Sequence, residues 1–151
     1  MLEVKPRPAA KPVRPDAQAG LSIAEAARRS GVSVHTLRYY ERVGLVVTAI
    51  ERTAGGRRRY QQLDLDWITI CTKLRATGMP IRAIRRYAQL VSAGHGNEQE
   101  RLALMEAHRA EVVTKLAELQ ENLKLIDHKI DVYRGRIAAG DADQLWAPHR
   151  V

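Results

Sequence analysis

Residues 33–46 read SVHTLRYYERVGLV. On a helix, adjacent side chains point about 100° apart, so Tyr39 and Tyr40 cannot share one buried face. The chain has five tyrosines, two tryptophans and no phenylalanine, so a ring spent outside the core needs another purpose. Ser33 is the residue type that caps a helix N-terminus, and Gly44 the type that closes one. The stretch is therefore predicted to be a short helix, His35 to about Arg42. Leu37 turns inward beside Val34 with one of the two tyrosines, Tyr40 by preference, and the other ring, Tyr39, faces out; either tyrosine could be the packed one.

Upstream, Ser22-Ile23-Ala24-Glu25 has the spacing of a capping box, which starts a helix that stops at Gly31. Ile23, Ala27, Val32 and Leu37 are expected to pack between the two helices, giving a helix-turn-helix. Downstream, Val46, Val47 and Ile50 favour strand, and Ala54-Gly55-Gly56 permits a reversal before Arg57-Arg58-Arg59-Tyr60. That pattern predicts a β-hairpin wing with a basic returning strand, placed to clamp phosphate. Two more helices follow. One runs from about Leu63 to Ala76 with Leu63, Trp67, Ile70, Cys71 and Leu74 on one stripe. Gly78 ends it, and Pro80 begins another that reaches about Val91.

From Glu98 the pattern is regular. Leu102, Met105, Arg109, Val112, Leu116, Leu119, Leu123, Ile126, Ile130, Tyr133 and Ile137 recur at spacings of three and four, and ten of these eleven are apolar. Five such heptads predict one long helix, about 60 Å at about 1.5 Å per residue, and a coiled coil. Too little chain remains to cover so narrow and long a stripe, so Val112, Leu116, Leu119, Leu123, Ile126 and Ile130 are assigned to a homodimer interface.

The formal net charge is +8. Residues 21–62 carry eight basic and three acidic side chains, whereas residues 63–151 carry thirteen and twelve. The excess thus gathers in the helix-turn-helix and wing, where a polyanion such as double-stranded DNA would be bound. Residues 1–20 hold four of the six prolines between Lys5, Arg7, Lys11 and Arg14, and are predicted to be a disordered arm. The domain reading is this arm, a DNA-binding domain over 21–92, a dimerisation helix over 98–137 and a tail over 138–151. No run is long and apolar enough for a membrane helix and no signal peptide opens the chain, so a soluble, cytoplasmic, nucleoid-associated protein is expected. The single cysteine excludes an internal disulfide framework. No nucleophile–base pair, phosphate-cradling loop or paired carboxylate site indicates an enzyme, and no cofactor is expected.

The run Ser33-Val34-His35-Thr36-Leu37-Arg38-Tyr39-Tyr40-Glu41-Arg42-Val43-Gly44-Leu45, with Arg58-Arg59-Tyr60 and Asp64 after it, resembles the MerR family of bacterial transcription regulators. That family shows T-[LIV]-R-Y-Y-[ED]-x-x-G-L, then R-x-Y in its wing, and the likeness covers residues 21–137. The resemblance implies a mainly α protein: a winged helix-turn-helix, connecting helices and a long helix pairing as an antiparallel coiled coil. It further implies a homodimer on a palindrome in promoter DNA, which bends and untwists an overlong spacer so that RNA polymerase engages both elements. By position, Ser33, His35, Thr36, Arg38, Tyr39 and Arg42, with Arg57, Arg58 and Tyr60 in the wing, form the DNA-binding set. His35 and Thr36 are its base readers, and most of the others touch phosphate.

A narrower resemblance, through Trp67-Ile68, Leu74-Arg75, Thr77-Gly78-Met79 and Ile126-Asp127-x-Lys129-Ile130, points to the thiol- and aldehyde-responsive branch similar to NmlR and AdhR. That branch has a cysteine immediately before Leu-Arg. Here Lys73 stands there and Cys71 lies two residues earlier. Cys71 is either a possible sensor or an inert core thiol. Residues 110–151 contain no cysteine, and His128 with Asp127 and Asp131 makes no convincing metal site. The effector is not specified by these residues. The rival readings are an excisionase-like architectural DNA-binding protein, a constitutive repressor without effector, and a coiled-coil scaffold.

Overall fold

The computed structural model describes residues 20–145. The order is α1 (Ile23–Ser30), α2 (Val34–Arg42), β1 (Glu51–Arg52), β2 (Arg58–Arg59), α3 (Gln62–Ala76), α4 (Ile81–Ala93) and α5 (Glu98–Ala139), followed by a 3₁₀ turn at Ala142–Gln144. It is the mainly α, winged helix-turn-helix architecture with a long final helix expected above. Most of the proline-rich arm, and the tail with Trp146 and His149, lie outside the described residues.

The caps form as their residue types require. Ser22 Oγ accepts from the Glu25 amide at 3.3 Å and Glu25 returns a carboxylate to the Ser22 amide at 2.8 Å. Gly31 ends α1 with φ 72°, a conformation glycine adopts without steric penalty. α1 packs against both α2 and α3. Its fully buried residue is Ala26, not the expected Ala27, and Ile23 and Ala27 are only half-buried. A methyl side chain allows both neighbours to approach closely.

The wing is shorter than predicted. Only Glu51–Arg52 and Arg58–Arg59 pair, antiparallel, with Glu51 opposite Arg59 and Arg52 opposite Arg58. Val46 and Val47 are not strand, because side chains from α3 and α4 occupy the carbonyls around them. Arg85 Nε donates to Val43 O at 2.6 Å, Trp67 Nε1 to Leu45 O at 2.5 Å, and Ser92 Oγ to Val47 O at 2.8 Å. A bridge between Leu21 and Tyr60, with N–H···O contacts of 2.8 and 2.9 Å, ties the start of α1 to the wing.

The phase of α3 also differs. Leu63 is 79% and Ile70 43% exposed, whereas Leu65, Trp67, Ile68 and Cys71 are buried. The Trp67–Leu45 bond, together with the stacking of Trp67 on Tyr87 at 5.4 Å between centroids, fixes the rotation of the helix. Met79, between α3 and α4, is buried as well.

Contacts divide the chain into two compact units between Leu104 and Met105. In the first, Asn97 Nδ2 donates to Leu90 O at 2.8 Å and Arg86 pairs with Glu100, anchoring the first turn of α5. The second holds the rest of α5, which Gly140 closes with φ 74° while Arg136 meets Asp141 at 2.6 Å. Among the described residues no helix is long and apolar enough to cross a membrane.

Trp67→Phe keeps an aromatic ring but removes the indole N–H, leaving the Leu45 carbonyl only the long contact from Cys71 Sγ at 3.9 Å. Urea denaturation is expected to show a loss of about 2 kcal/mol, the usual cost of a buried acceptor deprived of its donor.

Candidate nucleic-acid interface

The start of α2 is built around Ser33. Its Oγ accepts from the Thr36 amide at 3.0 Å and lies 2.9 Å from Thr36 Oγ1. Two of the three polar residues that open the helix are thereby held by each other, while His35 is exposed beside them. Arg38 and Arg42 are exposed further along, and Leu37 and Tyr40 are buried. The Tyr39 ring is half-buried, 6.2 Å from Tyr40 and tilted by 50°, with the Arg42 guanidinium 5.5 Å from its centroid. Tyr39 is thus a platform stiffened by one ring and one cation at the edge of the core.

Arg38 converges with the wing. A cleft of about 330 Å³ is lined by Ser22, Ile23, Arg38, Gly56, Arg57, Arg58 and Arg59. Four arginine side chains and residues at the start of α1 therefore border one space, a lining that favours an anion. The arginines are held differently. Arg57 is exposed. Arg58 Nε donates to Glu41 at 2.5 Å, and this bond raises the Arg58 pKa above its usual value. Arg59 reaches back to Gly20 O at 3.3 Å, and its buried Nε has no protein partner. Arg59 and the α1 N-terminus were not in the sequence-derived set. The Ser22–Glu25 spacing is visible locally, but its position beside the wing depends on the non-local Leu21–Tyr60 bridge.

Tyr60 requires a correction. It is 1% exposed, its hydroxyl is buried without a hydrogen-bond partner, and burial holds that hydroxyl above the usual phenol range. The backbone bridge to Leu21 draws the ring into the core, away from any ligand outside. Cys71 is likewise 1% exposed, with Sγ 3.9 Å from Leu45 O. Burial pushes its thiol up to about 11, and neither exposed Lys73 nor exposed Arg75 offsets that burial. A thiolate is therefore scarce at neutral pH, and the physical basis for a reactive Cys71 is missing. Among the described residues, no cluster of three or more His, Cys, Asp or Glu side chains could hold a metal ion.

The assigned dimerisation positions lie on α5. Leu116, Leu119, Leu123, Ile126 and Ile130 are 40–64% exposed, and Val112 is half-buried. Leu125, Ile126, Ile130, Tyr133 and Ile137 continue the stripe as an apolar hollow.

Comparison with known proteins places these features. The profile described as MerR HTH family regulatory protein matches residues 21–90, and that described as MerR, DNA binding matches 65–138. An HTH-type transcriptional regulator of Haemophilus influenzae is 34% identical over 125 residues, 83% of this chain and 92% of that one. AdhR of Bacillus subtilis is 33% identical over 93 residues, 62% of this chain and 66% of its own length. Among solved structures, HiNmlR, a MerR family regulator lacking the sensor domain and bound to promoter DNA, superposes with a TM-score of 0.75. It is 32% identical and covers 83% of this chain and 99% of its own. A MerR family regulator from Listeria monocytogenes gives the same TM-score of 0.75 at 35% identity, over 82% and 92% of the two chains.

Two measurements check these placements. Tyr60→Phe is expected to leave stability and DNA affinity within about 0.5 kcal/mol, because the hydroxyl it removes has no partner. The raised pKa of Cys71 also carries a sign. Its stabilising contribution is full below the unfolded-state value of about 8.5 and is lost as pH rises through about 11. The denaturation midpoint is expected to fall across that window, less steeply in Cys71→Ala, and alkylation of the native thiol at pH 7 to be slow until denaturant is added.

Proposed function

Because the chain belongs to the MerR family of DNA-binding transcription regulators and is not an enzyme, we propose that it acts as a homodimer on a palindromic promoter element. The activated dimer bends and untwists the spacer, and RNA polymerase then engages both promoter elements. The observation that carries the dimer is the exposed apolar stripe of α5, with Leu116, Leu119, Leu123 and Ile126 each more than half exposed in a single chain. Fully burying one such side chain contributes about 1.5–3 kcal/mol, so covering the stripe by a second α5 is favoured over solvation; the antiparallel sense is the one the family resemblance implies. In this division of labour residues 21–92 bind DNA and 98–137 dimerise.

On the DNA, the start of α2 enters the major groove, where Ser33, His35 and Thr36 meet base edges or nearby phosphates. Arg38, Tyr39, Arg42, Arg57 and the outer nitrogens of Arg58 hold phosphates, with Arg59 added from the cleft. These contacts set register and affinity, and the energy of deforming the spacer adds discrimination where no side chain touches a base. The promoter-DNA complex of the 32%-identical HiNmlR supports this mode. If the protein answers thiol or aldehyde stress, the response does not run through a Cys71 thiolate, because that side chain is buried. Its trigger is instead a non-covalent ligand or a partner protein.

Leu123→Asp places a carboxylate in the stripe. Light scattering is expected to show a monomer at micromolar concentration, corresponding to a dimer dissociation constant raised at least about 100-fold. A persistent dimer would sink the α5 interface. Separately, Arg38→Ala or Arg57→Ala is expected to flatten the log–log salt dependence of DNA binding by about one phosphate each. An unchanged slope would remove that residue from the phosphate-contacting set.

A further inference from the structure

Glu41 lies within the basic surface, yet it is an acid. It sits on α2 between Arg38 and Arg42, three residues from one and one from the other. Coulomb's law alone would predict that such a carboxylate weakens binding to a polyanion. Its geometry gives a reason for its presence. One carboxylate oxygen accepts from Arg52 on β1 at 3.1 Å, and the other accepts from Arg58 on β2 at 2.5 Å. Arg52 and Arg58 are themselves register partners across the hairpin. Like charges opposite each other destabilise a strand pair, and strands of two residues have little ladder to resist that repulsion. Glu41 is the shared counter-ion. Arg52 extends the network by donating to Gly56 O at 3.1 Å, which closes the turn.

We propose that Glu41 is a positioning residue for DNA binding, joining α2 to both wing strands so that Arg38, Arg57 and Arg58 meet the phosphate backbone as one preformed unit. The inference rests on the reading of this surface as a DNA interface. Without Glu41, the two arginines repel, the wing swings relative to α2, and each DNA contact must order the wing anew. The sign of the effect is therefore opposite to the electrostatic one. A variant with one more net positive charge binds DNA less tightly.

The test uses the full chain and a DNA duplex selected by the wild-type protein from a random-sequence pool, with binding followed by fluorescence anisotropy across a salt series. Glu41→Gln is expected to bind about tenfold more weakly, with a salt slope no shallower than wild type, since no phosphate contact is deleted. Glu41→Asp, still charged and able to hold one arginine, recovers part of the loss. In the background of Arg52→Ala with Arg58→Ala, Glu41→Gln costs nothing further, because Glu41 acts through those two side chains. The Arg58 Nε–H resonance of the DNA-free protein, shifted by the carboxylate in wild type and moved towards free arginine in Glu41→Gln, reads the network without DNA. Tighter or equal binding by Glu41→Gln overturns the proposal, as does an equal loss in the Arg52/Arg58 double variant. Failure of the wild-type chain to select any duplex would instead overturn the regulator reading itself, whatever the Arg58 signal does.

Discussion

The hydrogen bond from Trp67 Nε1 to the carbonyl of Leu45 is the constraint on which the DNA-binding unit depends. Leu45 is completely buried, and its amide is already taken by Tyr40 O at 2.9 Å, so this residue closes α2 and docks on α3 together. A buried peptide carbonyl without a donor is costly, and an indole N–H from the facing helix meets that requirement. With Leu45 held in this way, Arg85 and Ser92 of α4 can reach Val43 and Val47 on either side. The linker between the recognition helix and the wing is thus shaped by side chains of the two helices behind it, and this is why it does not extend into a longer sheet.

Local features were legible in the sequence, and non-local ones were not. The Ser22–Glu25 capping box, the Ser33 cap and the glycines that end α1 and α2 follow from interactions within four residues, which spacing alone specifies; that one of Tyr39 and Tyr40 packs was legible too, but which one was settled by the fold. The heptads of α5 were legible for the same reason: a periodic pattern on one helix needs no partner to be read. Of the expected α3 stripe, Trp67 and Cys71 are buried but Leu63 and Ile70 are exposed, and Leu65 and Ile68 are buried instead. The bond from Trp67 to Leu45, 22 residues away, holds the helix in that rotation, which spacing along α3 does not encode. Tyr60 was assigned to the DNA-binding set by its position in the R-x-Y run of the wing. The bridge to Leu21 that turns it inward spans 39 positions, beyond what local spacing encodes. Arg59 was read only as part of the triple-arginine phosphate clamp and Glu41 not as a site residue at all, since each acquires its particular role from a neighbour distant in sequence.

The arginines of the candidate interface divide into two populations. Arg38, Arg42 and Arg57 are exposed and can follow a ligand, whereas Arg58 and Arg59 are held by Glu41 and by the Gly20 carbonyl. A guanidinium held in place loses less freedom when it meets a phosphate, while an exposed one retains reach. A surface combining both can adjust to a ligand without dissolving its own framework. The concentration of charge seen in residues 21–62 is therefore also an organisation of charge, with fixed and adaptable cations side by side around one cleft.

α5 is continuous from Glu98 to Ala139, with no proline to interrupt it. A single residue inserted within such a helix turns everything beyond it by about 100° and carries it about 1.5 Å along the axis. Substitutions on the polar faces of α5 can be absorbed one at a time, but a change of length near Leu116 would turn Leu123, Ile126 and Ile130 to another side of the helix at a stroke. Insertions and deletions are thus restricted to steps of about seven residues, which restore the face. Off the apolar stripe α5 is free to drift in composition, while its length is far more constrained, so that the helix behaves as a ruler graduated in heptads.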